Sequence, residues 1–334
     1  MRLFYIILLG VFLIPSVNLA QTEGEEEQGD SRVYQLADRT YIYKNRGGNI
    51  GLFIGNEGAL VIDTQFAEVT EDLLKVIGRF TDKPVKYVLN THHHGDHTGG
   101  NANLYKEGAL IIAHNNMYAN LRKSLLKNDE KGDTSALPQI TTSDELTFFL
   151  DNEEITVHHL EDAHTNGDLI VHFKRNNIVH TGDAFVNGRY PYIDVENGGS
   201  YQGYVDGLRK ILKNCDENTK LIPGHGEVAG VQDVKNLMQL MEIVFKRVAF
   251  HHLNGKSEAE IIAMRDLTAS YDSQGYGDHF ITRERFIKMI YDAVAVRYNM
   301  DGRRETARRI EEIRRQQELE RQNEEQNEKE KNGG

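Results

Sequence analysis

From Thr91 to Gly100 the chain reads Thr-His-His-His-Gly-Asp-His-Thr-Gly-Gly, which places four imidazoles and one carboxylate between His92 and His97. Imidazole and carboxylate are the groups that hold Zn²⁺ in open catalytic sites, and such a site needs three or more of them converging. His92 and His94 are two residues apart, so an extended segment points them the same way and turns His93 aside. Gly95 lets the chain bend before Asp96 and His97. One short loop can then offer His92, His94, Asp96 and His97 to two cations lying close together. A solvated histidine-rich turn has the same composition, but this run is internal and follows an apolar segment. The chemistry expected is hydrolysis. Two cations would acidify a shared water, and Asp96 is placed to orient the resulting hydroxide and carry its proton to the leaving group.

The loop needs a rigid support, and the surrounding sequence supplies one. Residues 85–89 are apolar and form a strand that ends at the cluster. Residues 33–34, 40–43, 50–54 and 59–63 are short β-type runs, separated by Gly47-Gly48 and Asn56-Glu57-Gly58, which suit hairpin turns. Val69, Leu73, Val76, Ile77 and Phe80 recur at helical spacing across 67–80. The outline then repeats: a strand at 109–113, a helix at 116–127, and strands at 146–150, 155–159, 169–173 and 178–181. A helix at 201–213 and a last strand at 221–222 complete it. Two strand-rich halves that each carry helices imply a layered α/β protein with mixed sheets. Three further helices follow. The first covers 231–253 and closes at Gly255. The second opens on the capping box Ser257-Glu258-Ala259-Glu260, and the third is entered through Ile281 and Phe286 around Thr282 and runs to about residue 298.

The histidine run and three later segments together resemble the metallo-β-lactamase superfamily. Thr91–Gly100 is similar to that family's His-x-His-x-Asp-His loop. Ala163-His164-Thr165-Asn166-Gly167-Asp168, Thr181-Gly182-Asp183 and Pro223-Gly224-His225-Gly226 are similar to its later metal segments, in the right order across about 33–240. The resemblance implies a four-layer αββα sandwich and two Zn²⁺ per chain. His92, His94 and His164 would hold one ion, Asp96, His97 and His225 the other, and Asp183 would bridge them. It also implies that Asp63 supports the metal loops, since ligating histidines need outer partners. Asn187, Arg189 and Tyr192 follow the bridging aspartate and are expected to border the substrate. His158, His159, His172 and His180 lie on strands and are expected to be packing residues.

The resemblance implies an activity class more firmly than a substrate. Hydrolysis of an amide, ester, lactone or thioester in a small molecule is expected, β-lactams included. The best-known lactamases carry cysteine at the position of Asp183, so the metal set looks more like that of glyoxalase II. The C-terminal helices, however, do not read as that enzyme's glutathione-binding domain. A mononuclear iron sulfur-dioxygenase shares the loop and is the alternative reading. A non-catalytic module would be expected to have lost ligands, and this chain has kept them.

Composition narrows the partners. The 334 residues carry 39 Lys plus Arg against 51 Asp plus Glu, a net charge of −12, which disfavours nucleic acid. Arg2, the apolar stretch 3–14, Pro15 and the ending Val17-Asn18-Leu19-Ala20 read as a signal peptide over 1–20, with export to the periplasm or beyond. Its apolar core is too short to span a bilayer, so no integral membrane segment is expected after cleavage. Cys215 is the one cysteine, so the fold uses no internal disulfide. The expected division is then an acidic linker at 21–31, the metallo-β-lactamase domain at 32–240, a helical extension at 241–300 and a charged helical or disordered tail at 301–334.

Overall fold

The computed structural model describes residues 32–127 and 133–298, together with Arg315; the segments read as a signal peptide and an acidic linker and most of the charged tail lie outside these. Among the described residues twelve strands form two sheets. The first runs in chain order through β1 (Arg32–Ala37), β2 (Thr40–Lys44), β3 (Ile50–Gly55), β4 (Gly58–Ile62), β5 (Val85–Leu89), β6 (Leu110–His114) and β7 (Ile140–Thr142). The second comprises β8 (Glu145–Leu150), β9 (Glu153–Leu160), β10 (Asp168–Phe173), β11 (Ile178–Gly182) and β12 (Lys220–Pro223). The hairpins β1–β4 are antiparallel and β4–β7 pair in parallel; in the second sheet only β11 and β12 are parallel. The expected mixed sheets are present.

The helices are α1 (Thr70–Ile77), α2 (Gly95–Thr98), α3 (Asn101–Lys106), α4 (Asn115–Leu126), α5 (Tyr201–Lys213), α6 (Val231–Leu253), α7 (Glu258–Ala263), α8 (Ala269–Asp272) and α9 (Arg283–Tyr298). Strand alternation explains where they pack. Ile42, Phe53, Leu60, Ile62 and Leu89 of the first sheet meet Ile155, Val157, Leu169, Val171, Phe173 and Ile178 of the second. The opposite face of the first sheet buries Leu52, Val61, Val88 and Ile111 against Leu73, Val76 and Ile77 of α1 and Leu104 of α3. Ile170, Val179 and Leu221 face the other way, toward α5, α6 and α9. Helix, sheet, sheet and helix therefore form four layers. β10 is buried on both faces, which is why Leu169, Ile170 and Val171 follow one another with no polar alternation.

Two elements depart from expectation. The helix at 67–80 shortens to α1 after a 3₁₀ turn at Ala67–Val69. Phe80 leaves the core face and packs on Tyr41, ring centroids 4.4 Å apart. β7 is only three residues long and carries no period that sequence could reveal.

The C-terminal helices share the core of the second sheet. Leu237, Met241, Val244 and Val248 of α6 and Phe286, Ile287 and Ile290 of α9 belong to the same apolar cluster as Ile170 and Val179. The division drawn at residue 240 falls inside α6. Helix α9 starts as its sequence suggests: the Thr282 carbonyl accepts the Phe286 N–H at 2.9 Å, and Ile281 and Phe286 are buried beside it. Phe286 stacks on Tyr190 at 4.3 Å, and the Tyr190 hydroxyl donates to Asp272 at 2.6 Å. Because these helices and the sheet share one core, Phe286→Ala is expected to cost about 3–5 kcal/mol and to lower the stability of the whole unit. Chemical denaturation followed by far-UV circular dichroism measures this; a variant losing α9 alone, with the sheet transition unmoved, would contradict the shared core.

Candidate metal centre

The chemistry gathers where strands of both sheets end. His92 follows β5, His94 precedes α2, and Asp96 and His97 lie within α2. His164 lies between β9 and β10, Asp183 follows β11 and His225 follows β12. His92, His94, His164 and Asp183 bring one potential ligand atom each within 4.8 Å of one another, and so do Asp96, His97 and His225. Asp183 connects the two groups. Its Oδ1 lies 3.2 Å from His97 Nε2 and 3.5 Å from His225 Nε2, and its Oδ2 lies 3.8 Å from His164 Nε2. Asp96 Oδ2 is 3.2 Å from His225 Nε2 and 3.8 Å from His97 Nε2. All seven residues anticipated as ligands are thus drawn together.

The outer partners of the imidazoles fix their tautomers. His94 Nε2–H donates to Asp194 Oδ2 at 2.9 Å, and His164 Nδ1–H donates to the Tyr192 carbonyl at 2.9 Å. Their other nitrogens then face each other at 2.9 Å, each presenting a lone pair. His97 Nδ1–H donates to Asp63 Oδ2 at 2.8 Å, which turns its Nε2 toward His225 and Asp183. The Thr91 hydroxyl donates to Asp63 at 2.7 Å and accepts from His92 Nδ1–H at 3.1 Å. His92 Nε2 is left buried and without a partner, as is Asp183 Oδ1. Neutral histidine has one donor and one acceptor, so the donors of His92, His94 and His164 are spent on the outer side. An arrangement of converging lone pairs and buried carboxylates fits a divalent cation.

Protonation follows the same division. Burial pushes His92 well below its ordinary range and His164 down to about 4, so both stay neutral. For His97, burial acts downward but is outweighed by the carboxylates of Asp183 and Asp63, which raise it well above that range. Burial would raise Asp183, yet the neighbouring His225 and His97 hold it well below the usual carboxylate range.

Asp63 is the support it was expected to be in geometry: fully buried, in the left-handed region at φ 63°, and accepting from Thr91 N–H, the Thr91 hydroxyl and His97. The three hydrogen bonds offset a conformation that L residues rarely adopt. Asp194 had no signal in the sequence. It accepts from His94 and from the Asn197 side chain at 2.7 Å, and its N–H donates to the His164 carbonyl at 2.8 Å, tying both histidine segments together. Asn49 is a second unanticipated support, donating to the Pro223 and Gly226 carbonyls on either side of His225. His180, read as a packing residue, is buried and donates from Nε2 to the Asn49 carbonyl at 3.1 Å. His93 turns aside as expected, buried, with its Nε2 3.9 Å from Asp194.

The three residues expected near the substrate differ in what they do. Asn187 spends its backbone N–H on His225 O and its amide on Glu227 O, so it holds the His225 loop. Arg189 is half-buried, with an Nε that no group meets, and Asp183 and Glu227 lie close enough to act on its charge. Tyr192 stacks its ring over His94 at 6.0 Å. Two glycines allow the close approaches. A Cβ on Gly48 would overlap the His97 ring, and one on Gly224 would overlap Asp183 Oδ1.

Asparagine tolerates the left-handed backbone but replaces one acceptor oxygen with a donor, so Asp63→Asn tests the support without removing it. Metal affinity is expected to fall about 10–100-fold with the fold retained, measured by competition with a chromophoric chelator; unchanged affinity would contradict the outer-partner role.

Comparison with known proteins agrees with this geometry. Residues 43–271 match the metallo-beta-lactamase superfamily. Hydroxyacylglutathione hydrolase of Pelagibacter ubique (strain HTCC1062) is 30% identical over 187 residues, covering 52% of this chain and 69% of that protein. Metallo-beta-lactamase IND-1 of Chryseobacterium indologenes is 21% identical over 216 residues, 62% of this chain and 86% of its own. The solved metallo-beta-lactamase from Pontibacter korlensis superposes with a TM-score of 0.55 at 18% identity, covering 64% of this chain and 99% of that one, which supports the fold. With the match spanning both sheets and every strand end that carries a clustered ligand, the chain belongs to the metallo-beta-lactamase superfamily and is a hydrolase of it.

Proposed function

We propose that the chain binds two zinc ions and hydrolyses an amide, ester, lactone or thioester bond in a small molecule. The observation that carries this is Asp183, set with one oxygen toward His97 and His225 and the other toward His164, between two groups of inward-facing lone pairs. Two adjacent cations, when bound, would acidify a shared water and polarise the carbonyl of the scissile bond. The chain's own residues supply the rest. Burial acts to raise Asp96, but the hydrogen bond to His225 and the charge of His97 outweigh it and keep the carboxyl below its usual range. Its side chain is 29% exposed, at the open edge of the site, where it accepts the proton of the attacking water and returns it to the leaving group. The Arg189 guanidinium lies close enough to Asp183 and Glu227 to feel their charge and brings a cation beside the centre, and Tyr192 supplies an aromatic wall.

Acyl chemistry is favoured within this class. Relatives named hydroxyacylglutathione hydrolase, from Pelagibacter ubique at 30% and from Schizosaccharomyces pombe (a probable one) at 26% identity, support an acyl substrate. The relative IND-1 supports including β-lactams in any screen. Elemental analysis is expected to give two zinc per chain, and a panel of aryl ester, thioester, lactone and β-lactam is expected to yield at least one substrate. Asp96→Ala and His94→Ala are each expected to lower its turnover by at least about 100-fold. One iron per chain with oxidation of a persulfide would sink the hydrolytic reading in favour of a sulfur-dioxygenase.

Proton competition separates the two ion positions. His97 has a raised pKa in the metal-free protein, so its proton competes with a cation up to and beyond neutrality, whereas His92 and His164 lose that competition only far into acid. Acidification is expected to release the ion beside Asp96, His97 and His225 first, with the ion at the other position held to lower pH. In the metal-free protein the raised folded pKa of His97 adds stability that is fully present below the unfolded value and is lost as pH rises through the folded one. Stabilisation by added zinc therefore grows with pH. Metal-to-protein ratios after equilibrium dialysis across the pH range check this; simultaneous release of both ions would contradict it.

A further inference from the structure

A chamber of about 650 Å³ lies beside the centre, between the 192–202 segment and helices α6 and α9. Tyr192, Tyr201, Phe245, Ile281, Met289 and Val296 form its apolar walls. Tyr192 belongs to both spaces, because its ring also stands 6.0 Å from that of His94 and 5.8 Å from that of His164. At the lip, Phe280 meets Tyr192 edge-on at 5.8 Å, with the Arg285 guanidinium over its outer face at 4.5 Å. Large apolar side chains here are left open to water: Phe280 is 70% exposed and Val296 82%. Such surface concentrated around a concavity marks a binding site.

We propose that this chamber receives the apolar acyl part of the substrate, so that the bond cleaved belongs to an ester or thioester of a medium- or long-chain carboxylic acid. The proposal rests on the hydrolytic reading above and names its substrate class. The shared wall at Tyr192 is the argument for a substrate in place of any other occupant: the ring that lines the chamber also stands 6.0 Å from His94 and 5.8 Å from His164, so an acyl chain held here has its carbonyl end one side chain away from the centre. The volume is that of a small-molecule site. A short polar acyl group would leave these walls wet, so the binding energy available here is released only by a long apolar one.

The test uses the full chain loaded with zinc and p-nitrophenyl esters of acetate, hexanoate and decanoate. Specificity, kcat/KM, is expected to rise with chain length, by up to about fourfold per added methylene until the chamber is full. Ala293→Phe and, independently, Met289→Trp narrow the chamber from α9 without touching the metal ligands. Each is expected to remove at least tenfold of the decanoate advantage and leave acetate turnover within twofold. A profile flat in chain length, or variants that slow acetate and decanoate alike, would overturn the proposal. Isothermal titration with free decanoate reads the chamber apart from catalysis. Binding by the wild type that is lost in A293F supports the chamber even if no ester, thioester, lactone or β-lactam is cleaved, a result that would instead sink the hydrolytic reading. No binding to the intact chain, as follows if residues 299–334 or a second copy cover the chamber, overturns it.

Discussion

Four imidazole rings aim a nitrogen each into one small space, and the rest of the active half of the molecule exists to keep them there. His94 and His164 face each other at 2.9 Å with neither able to donate, because their single N–H groups are spent on Asp194 and the Tyr192 carbonyl. His92 and His97 add two more inward nitrogens, and Asp183 adds a buried carboxylate. Such a set is repulsive by itself and attractive around a cation, so its net energy depends on the occupant. The outer hydrogen bonds make that choice. Asp63 reading His97, and Thr91 linking Asp63 to His92, fix which nitrogen looks inward before any ion arrives.

The fold meets this demand by bringing strand ends to one edge. β5, β11 and β12 each stop where a ligand begins, and the β9–β10 connection places His164 beside them. Both sheets are sandwiched, so the backbone leading into each ligand is held by buried apolar residues on two sides. Local strain is tolerated at this edge, as at Asp63, because the cores beneath overdetermine the chain. Close packing does the remaining positioning: at Gly48 and Gly224 the absence of a side chain is what lets His97 and Asp183 occupy their places.

Much of this was legible in the sequence, for a physical reason. Each ligand sits in a short segment at the end of a strand, so the residue types and the strand pattern are both local and readable together. The sheets were legible from alternation, and α5 from its helical period over 201–213, which matches its bounds. What escaped depends on contacts distant in sequence. Asp194 lies 100 residues from His94, and nothing around it distinguishes a metal-positioning carboxylate from a turn aspartate. Asn49 reaches across 174 residues to Pro223, and Phe80 leaves its helical face for Tyr41, a partner set by sheet assembly. Asn187 read as a substrate contact because it follows Asp183, but both its donors point back into the His225 loop.

The same separation explains how one metal arrangement can serve different substrates. The ligands come from strand ends in two sheets, whereas the proposed substrate walls come from the 192–202 segment and from α6 and α9, which lie outside the sheets. The two systems touch at few points, chiefly Tyr192, whose backbone carbonyl holds His164 while its ring faces outward to Phe280. Changing the side chains along α9 reshapes the space beside the centre and leaves the imidazole tautomers alone. Conversely, altering Asp63 or Asp194 disturbs the centre and leaves the apolar walls in place. Helix α9 is anchored through Phe286 and Tyr190 to the same core that carries β10 and β11, so its wall rests on the support that also carries ligands. A rigid metal edge and a rigid but independently variable wall are what this chain's selectivity requires.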